Sequence, residues 1–146
     1  MSGYSGTPLA KKLGIRAGGR VFVHAPPPNY AALVAPLPPG VLMPTPAAAD
    51  ADLLHVFATE RALLGKLLKQ LRTRMRPDAA LWVSWPKRTS GVSTDITEDT
   101  IRALALPLGL VDIKVCAVDD TWSGLKLMVR RSERPAPPAR RAARRA

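Results

Sequence analysis

The chain has 146 residues, enough for one domain with a sizeable core, and its 47% hydrophobic and 23% charged residues are typical of a globular protein. Its apolar stretches are interrupted before they reach the length of a membrane span, and no export signal marks the N-terminus, so we expect a cytoplasmic protein. A single cysteine, Cys116, excludes an internal disulfide framework and every cysteine-based metal cage.

The formal net charge of +11 is typical of proteins with a polyanionic partner, but its distribution is uneven. RPAPPARRAARRA, residues 134–146, holds five arginines and no acidic residue, so about half of the net charge lies there. This composition predicts a folded domain over residues 1–132 and a disordered basic tail over residues 133–146. The tail is either a solvated charge run or a weak, salt-dependent nucleic-acid binder. The arginines that would make those contacts are Arg140, Arg141, Arg144 and Arg145.

The first predicted elements are short. Thr7-Pro8 opens a helix that Gly14 closes, because a cap residue followed by proline starts helices and glycine ends them. RVFVHA, residues 20–25, is a β-branched and aromatic run that predicts the first core strand. Residues 30–34 predict one or two helical turns, and VLMP, residues 41–44, a weak second strand.

The sharpest pattern covers residues 52–85. DLLHVFA, residues 52–58, is an apolar run of strand length, and an amphipathic helix follows it. The apolar face of that helix comprises Leu63, Leu64, Leu67, Leu68, Leu71 and Met75. Its basic face comprises Arg61, Lys69, Arg72 and Arg76. ALWVSW, residues 80–85, is the next buried strand, so the unit predicts two parallel strands joined by a right-handed crossover.

The remaining elements end in a hairpin. Asp95 to Glu98 has capping-box spacing and precedes a helix over residues 97–105. LVDIKVCAV and GLKLMVRR predict two strands whose short connection makes them antiparallel. The whole order predicts a single-domain, three-layer α/β fold, Rossmann-like, with a mostly parallel sheet that ends in an antiparallel β-hairpin.

Two resemblances rest on these segments. The terminal hairpin and RPDAALWVSWPK resemble the last part of class I methyltransferases, so the chain is similar to a shortened version of that fold. GYSGTPLAKKLGI, LWVSWPKRTSGVSTDITED and LPLGLVDIKVCAVDDTWSGLKLMVRR also resemble, across residues 2–131, a family of small bacterial proteins catalogued only as a domain of unknown function. The second resemblance implies a homologous single-domain protein and no particular activity.

The methyltransferase resemblance carries expectations about the cofactor S-adenosylmethionine. Such an enzyme needs glycines after the first strand and an acid after the second, where this chain has Ala25-Pro26-Pro27-Pro28 and Pro44-Thr45-Pro46. Prolines lack the N–H groups that a cofactor loop presents, so we expect no S-adenosylmethionine binding in the usual mode. Dinucleotide and nucleoside triphosphate motifs are missing as well.

Candidate site residues follow the carboxyl ends of the strands, where α/β sheets bind ligands near a switch in strand order. Lys87, Arg88 and Ser90 in VSWPKRTSG predict an anion site, with Gly91 letting backbone amides curl toward the ligand. The alternative is a solvated turn that caps the next helix through Thr94, Asp95 and Thr97.

Other polar residues offer further candidates. His24 ends the first predicted strand and Glu60 follows the middle one, so either is a candidate ligand contact and a candidate acid or base. His55 lies mid-strand and is expected to be a hydrogen-bonded core residue. Asp119, Asp120 and Trp122 are candidate contacts at the hairpin turn, or else shape and pack that turn. Two histidines without a carboxylate motif predict no metal site.

These observations leave three functions open. The leading hypothesis is a non-catalytic cytoplasmic protein that binds a small anionic ligand or a protein partner at the carboxyl ends of the strands. The second is a divergent enzyme of methyltransferase-like fold that uses a nucleotide-like cofactor, with His24 or Glu60 as acid or base. The third is nucleic-acid binding through the arginine tail and the basic helix face.

Overall fold

A computed structural model describes residues 7–134, so the four tail arginines named above lie outside the described residues. The helices are α1 (Leu9–Leu13), α2 (Tyr30–Val34), α3 (Arg61–Arg74) and α4 (Glu98–Ala105). The strands are β1 (Val21–His24), β2 (Leu53–Phe57), β3 (Ala80–Pro86), β4 (Leu110–Ala117) and β5 (Trp122–Val129). Each of these elements falls within or close to a segment that the sequence pattern predicts.

The five strands form one mixed sheet in the order β1-β2-β3-β5-β4. β1 pairs with β2 and β2 with β3 in parallel, whereas β5 is antiparallel to both β3 and β4. The predicted antiparallel hairpin is confirmed, but two of the four pairings are antiparallel, so the sheet is parallel only in its first half. All five residues of β2 are buried, as expected for a strand covered on both faces.

Two hydrophobic clusters, one on each face of the sheet, make the predicted three layers. On one face Leu64 and Leu68 of α3 and Ile101 of α4 pack with the sheet residues Leu54 and Leu81. On the other face α1 and α2 pack with the alternate sheet residues. That second cluster includes Leu13, Tyr30, Val34, Leu53 and Trp82. The Trp82 indole nitrogen donates to the Leu13 carbonyl across 2.9 Å and ties α1 to the sheet.

The predicted strand over residues 41–44 is wrong. The segment makes a single parallel bridge, between Leu42 and Arg20, beside the free edge of β1. The Leu42 amide donates to Gly19, and its carbonyl accepts from the Val21 amide. Pro44 cannot donate the next ladder hydrogen bond, and prolines also precede the segment, so the pairing stops after one bridge.

Three other expectations need correction. β1, β2 and β3 lie side by side in chain order, so the expected switch in strand order is absent among the parallel strands. Leu63, which was expected on the buried face of α3, is 57% exposed, so the buried face of that helix is narrower than its leucine pattern predicts. The capping box of α4 is formed by Thr97 and Thr100, not by Asp95 and Glu98. Within residues 7–134, no helix is long and apolar enough to cross a membrane.

Candidate functional site

An open cleft of about 780 Å³ lies at the carboxyl end of β3, between the turn that follows this strand and the first turn of α4. Trp85 and Pro86 at the end of β3 contribute to its lining, and Arg88 is the one predicted site residue that it contains. The remaining lining residues are Gly91, Val92, Ser93, Thr94, Ile96, Thr97, Glu98, Asp99 and Arg102. This position, beyond the carboxyl end of a parallel strand, is where α/β sheets place ligands.

The turn that bears Arg88 is held by hydrogen bonds to backbone groups. The Lys87 amide donates to the Thr121 carbonyl across 2.7 Å, which joins the turn to the β4–β5 hairpin. The Ser90 hydroxyl donates to the Lys87 carbonyl at 2.7 Å and accepts from the Val92 amide at 3.1 Å. Gly91 has a φ of 79°, which suits glycine and lets the chain turn toward α4. Ser90 therefore shapes the turn, and Lys87 does not line the cleft.

The wall between the turn and α4 is anchored to the segment that joins β2 to α3 and to the first residue of α3. The Thr94 hydroxyl donates to the Thr59 carbonyl at 2.6 Å and accepts from the Ile96 amide at 3.0 Å. Asp95 accepts a hydrogen bond of 2.7 Å from the Arg61 amide, so it caps α3 rather than the helix that follows it. The prediction that this stretch caps the next helix holds for Thr97 alone.

Charges in the cleft are unevenly paired. Arg102 forms ion pairs with Glu98, with Asp99 at 3.0 Å and with Asp112 at 2.9 Å. The Asp112 and Glu98 carboxylates raise the pKa of Arg102, and Arg102 lowers the pKa of Asp112 in turn. No hydrogen bond or ion pair within residues 7–134 engages the Arg88 guanidinium, which is exposed. Arg88 is therefore the cation that the cleft offers to a ligand.

The structure does not bring His24 and Glu60 into this cleft. His24 is exposed at the end of β1 and lies level with Val56 of β2, a full strand away from β3. Glu60 is exposed just before α3, where its side chain makes no capping hydrogen bond. Neither residue lines the cleft beside Arg88.

The three candidates at the hairpin turn have contacts of their own. Asp119 accepts hydrogen bonds from the Thr121 amide at 2.9 Å and the Trp122 amide at 2.8 Å, which fixes the tight turn. Trp122 is half-buried and meets Phe57 edge-on with ring centroids 5.0 Å apart. Asp120 is exposed. Asp119 and Trp122 thus support the hairpin.

A buried chain of polar side chains was not predicted in full. The Tyr30 hydroxyl lies 2.8 Å from Nδ1 of His55, and Nε2 of His55 lies 2.7 Å from the Ser84 hydroxyl. Burial lowers the pKa of His55 to about 3 and raises the pKa of Tyr30. The expectation that His55 is a hydrogen-bonded core residue is confirmed. Its partners come from 25 and 29 residues away, and no local pattern indicates them.

The basic face of α3 is partly neutralised. Arg72 donates to the Leu108 carbonyl and pairs with Glu133 at 3.5 Å. Arg76 pairs with Asp52 at 2.7 Å and with Asp78 at 3.1 Å. Two of its four predicted cations thus already have carboxylate partners. No group of three or more His, Cys, Asp or Glu side chains in the described chain is arranged to hold a metal ion.

Comparison with known proteins shows the class of fold. No family model matches the chain, and no curated protein sequence matches it. Solved structures do match: an S-adenosylmethionine-dependent methyltransferase from Aquifex aeolicus has a TM-score of 0.59 at 15% identity, with 83% of this chain and 87% of that chain covered. A candidate type 11 methyltransferase from Sulfolobus solfataricus has a TM-score of 0.60 at 10% identity, covering 88% and 93%.

A third match, a ribosomal protein methylase from Lactobacillus delbrueckii subsp. bulgaricus, has a TM-score of 0.52 at 12% identity, covering 84% of this chain and 75% of that one. The chain therefore has a methyltransferase-like α/β fold. At these identities the likeness concerns the fold and leaves the activity open.

The residues after β1 do not fit the cofactor that this fold implies, S-adenosylmethionine. Pro26, Pro27 and Pro28 supply no N–H donor, and the Pro27 carbonyl already accepts from the Tyr30 amide at 3.0 Å. Ala25 holds a φ of 53°, a conformation that glycine adopts without strain. The segment after β1 is therefore not the open, donor-rich loop that cradles a nucleotide at this end of a strand.

Proposed function

We propose that this protein binds a small, nucleotide-like anionic ligand in the cleft between β3 and α4, as a divergent member of the methyltransferase-like fold. The observation that carries the proposal is Arg88, an exposed cation in the cleft that no carboxylate of the described chain neutralises. A guanidinium recognises phosphate or carboxylate groups through paired hydrogen bonds.

The composition of the cleft supports a ligand with both apolar and polar parts. Trp85, Val92 and Ile96 contribute apolar surface, and Ser93 and Thr97 contribute hydroxyl groups. Its volume of about 780 Å³ lies in the range of small-molecule sites. The methyltransferases among the structural neighbours favour a nucleotide-like ligand over a site that recognises only another protein.

The proposal assigns ligand binding and no reaction step. His24 and Glu60, the candidate acid and base, do not line this cleft, and the loop after β1 does not suit S-adenosylmethionine. The ligand would instead contact the end of β3 and the first turn of α4. An enzyme of this fold would need its reacting groups among the cleft's own carboxylates and hydroxyls. Of the two carboxylates, Asp99 is more exposed than Glu98.

A thermal-shift screen tests the proposal. The purified chain is heated with S-adenosylmethionine, nucleotides or phosphorylated metabolites, and the same screen is run on Arg88→Ala. A ligand present at about 100 times its Kd stabilises the native state by about 2.7 kcal/mol and raises Tm, and we expect Arg88→Ala to lose most of that rise. Lys87→Ala is the matched control, since Lys87 precedes Arg88 but does not line the cleft.

Two outcomes would contradict the proposal. A Tm rise that persists in Arg88→Ala would place the ligand elsewhere on the protein. No rise with any compound would favour a protein partner at the carboxyl ends of the strands instead.

A further inference from the structure

Part of one sheet face is not covered by any helix of residues 7–134. α1 and α2 pack on the side of the sheet that bears Trp82, and near the hairpin turn Cys116 and Trp122 join that cluster. Farther from the turn, other side chains of β4 and β5 that face the same way remain accessible. Lys114 is exposed, and Lys126 and Met128 are half-buried. Leu125 and Leu127, which alternate with them on β5, are fully buried on the opposite face. The terminal hairpin therefore has one core face and one open face.

Two lysines stand opposite each other on this open face. Lys114 of β4 pairs in register with Lys126 of β5, just after a bulge at residues 112–114. Like charges directly opposite on neighbouring strands destabilise a sheet. Partial burial, and then the charges of Lys114 and Arg16, lower the pKa of Lys126. No ion pair within residues 7–134 engages these three side chains, so the repulsion is not relieved by a carboxylate of the described chain.

The positive charge continues into a groove of about 520 Å³ at the amino end of β3. Its lining includes four cationic side chains, Arg16, Arg20, Arg76 and Lys126, against two carboxylates, Asp52 and Asp78. Arg76 pairs with both carboxylates, and Asp52 also accepts from the Arg20 amide at 2.8 Å. Positive charge thus remains in excess along the groove, and no aromatic side chain of residues 7–134 lines it.

We propose that the sugar–phosphate backbone of a nucleic acid binds to three cations, Arg16, Lys114 and Lys126. We call these three residues the Lys126 surface. Arg16 and Lys126 line the open groove, and Lys114 lies opposite Lys126 on the next strand. Separate cations arranged in this way match the repeated charges of a phosphate backbone better than they match one small anion. Because the described residues place no aromatic side chain in the groove to stack on bases, binding should depend on phosphates and hardly on sequence. None of its three residues belongs to α3 or lines the cleft at Arg88.

Fluorescence anisotropy with a labelled oligodeoxythymidine, at several salt concentrations, tests the proposal on the full chain. Each lost phosphate contact on a single strand lowers the slope of log K against log salt by about 0.7. Lys114→Gln with Lys126→Gln should therefore reduce the slope by about 1.4 and weaken binding. The matched control, Lys66→Gln with Lys69→Gln on α3, removes the same charge and should leave the slope nearly unchanged.

A third variant and a stability measurement separate lost phosphate contacts from a damaged hairpin. Arg16→Gln, which lies outside the strands, should reduce the slope by about 0.7 without touching the hairpin. Circular dichroism melting should show no loss of stability in the lysine pair variant, because it removes a repulsion. Equal slope changes in both lysine pairs, or no binding by the native chain, would overturn the proposal. Displacement by stoichiometric tripolyphosphate would overturn it in favour of a small-anion site.

Discussion

The buried His55 predicts a specific dependence of stability on pH. The folded protein holds the pKa of His55 at about 3, whereas an unfolded chain has it near 6.5. The unfolded state therefore binds a proton first as the pH falls, and the stability that is fully present above about pH 6.5 declines toward pH 3. The loss relative to pH 7 is about 2 kcal/mol at pH 5 and about 4 kcal/mol at pH 3.

Urea unfolding at pH 7, 6 and 5 measures this contribution in the native chain and in His55→Gln. The variant cannot titrate, so its loss of stability between pH 7 and pH 5 should be smaller by about 2 kcal/mol. Carboxylates titrate alike in both proteins and cancel in the comparison. Ser84→Ala is the control, since it removes one hydrogen bond at a cost of about 1–3 kcal/mol but keeps the buried imidazole and its pH dependence.

Equal pH dependence in the native chain and in His55→Gln would refute this prediction. It would mean that His55 is protonated as readily in the folded state as in the unfolded one. Burial with neutral partners, Tyr30 and Ser84, would then not be what sets its ionisation.

Two further substitutions test contacts that position the cleft and α1. Asp95→Ala should destabilise the protein by about 1 kcal/mol in urea unfolding, because the Arg61 amide loses its cap. Asp95→Asn should retain most of the stability. Equal losses of stability in the two variants would exclude a capping role for Asp95. Trp82→Phe should lower the free energy of unfolding by about 1–3 kcal/mol and speed amide hydrogen exchange in α1, since the buried Leu13 carbonyl loses its donor. Unchanged exchange in α1 would contradict the view that this hydrogen bond ties α1 to the sheet.

Patterns of neighbouring residues in the sequence correctly predicted several helices and strands. The 3.6-residue periodicity of α3 and the apolar run of β2 each correspond to an observed element. The segment at residues 41–44 has strand-forming side chains, but the proline that ends it removes the donor a strand needs. An apolar run therefore predicts a strand only where its amides are free to pair.

The placement of the hairpin strands in the sheet also has a signal in the sequence. β4 carries the charged residues Asp112 and Lys114 in its middle, which is typical of an edge strand. The bulge between these two residues places them on opposite faces. β5 alternates buried leucines with half-buried residues and suits an interior position between β3 and β4. Lys114 and Lys126 lie opposite each other because of the register between β4 and β5, which the bulge at residues 112–114 shifts. The residues of neither strand indicate that bulge.

The candidate site was harder to predict than the fold, because neighbouring residues in a turn face different ways. Lys87 and Arg88 are adjacent, but only Arg88 lines the cleft, and the Ser90 hydroxyl is occupied by the backbone of its own turn. The contacts of Asp95 and Thr94 with residues more than 30 positions earlier depend on the parallel packing of β2 beside β3. Proximity in sequence therefore indicated a turn that borders the cleft, and it could not tell which side chain of that turn lines the cleft.

The two proposed sites lie at opposite ends of β3. Pro86 lines the cleft and Ala80 lines the cationic groove, and six residues of extended strand separate them by about 20 Å. A mononucleotide cannot span that distance, so the Arg88 ligand and the nucleic-acid backbone should bind independently. Substitutions so far apart and without shared partners act additively. If Arg88→Ala altered the salt slope, or the lysine pair variant altered the ligand-induced Tm rise, both effects would belong to one extended polyanion surface along the sheet.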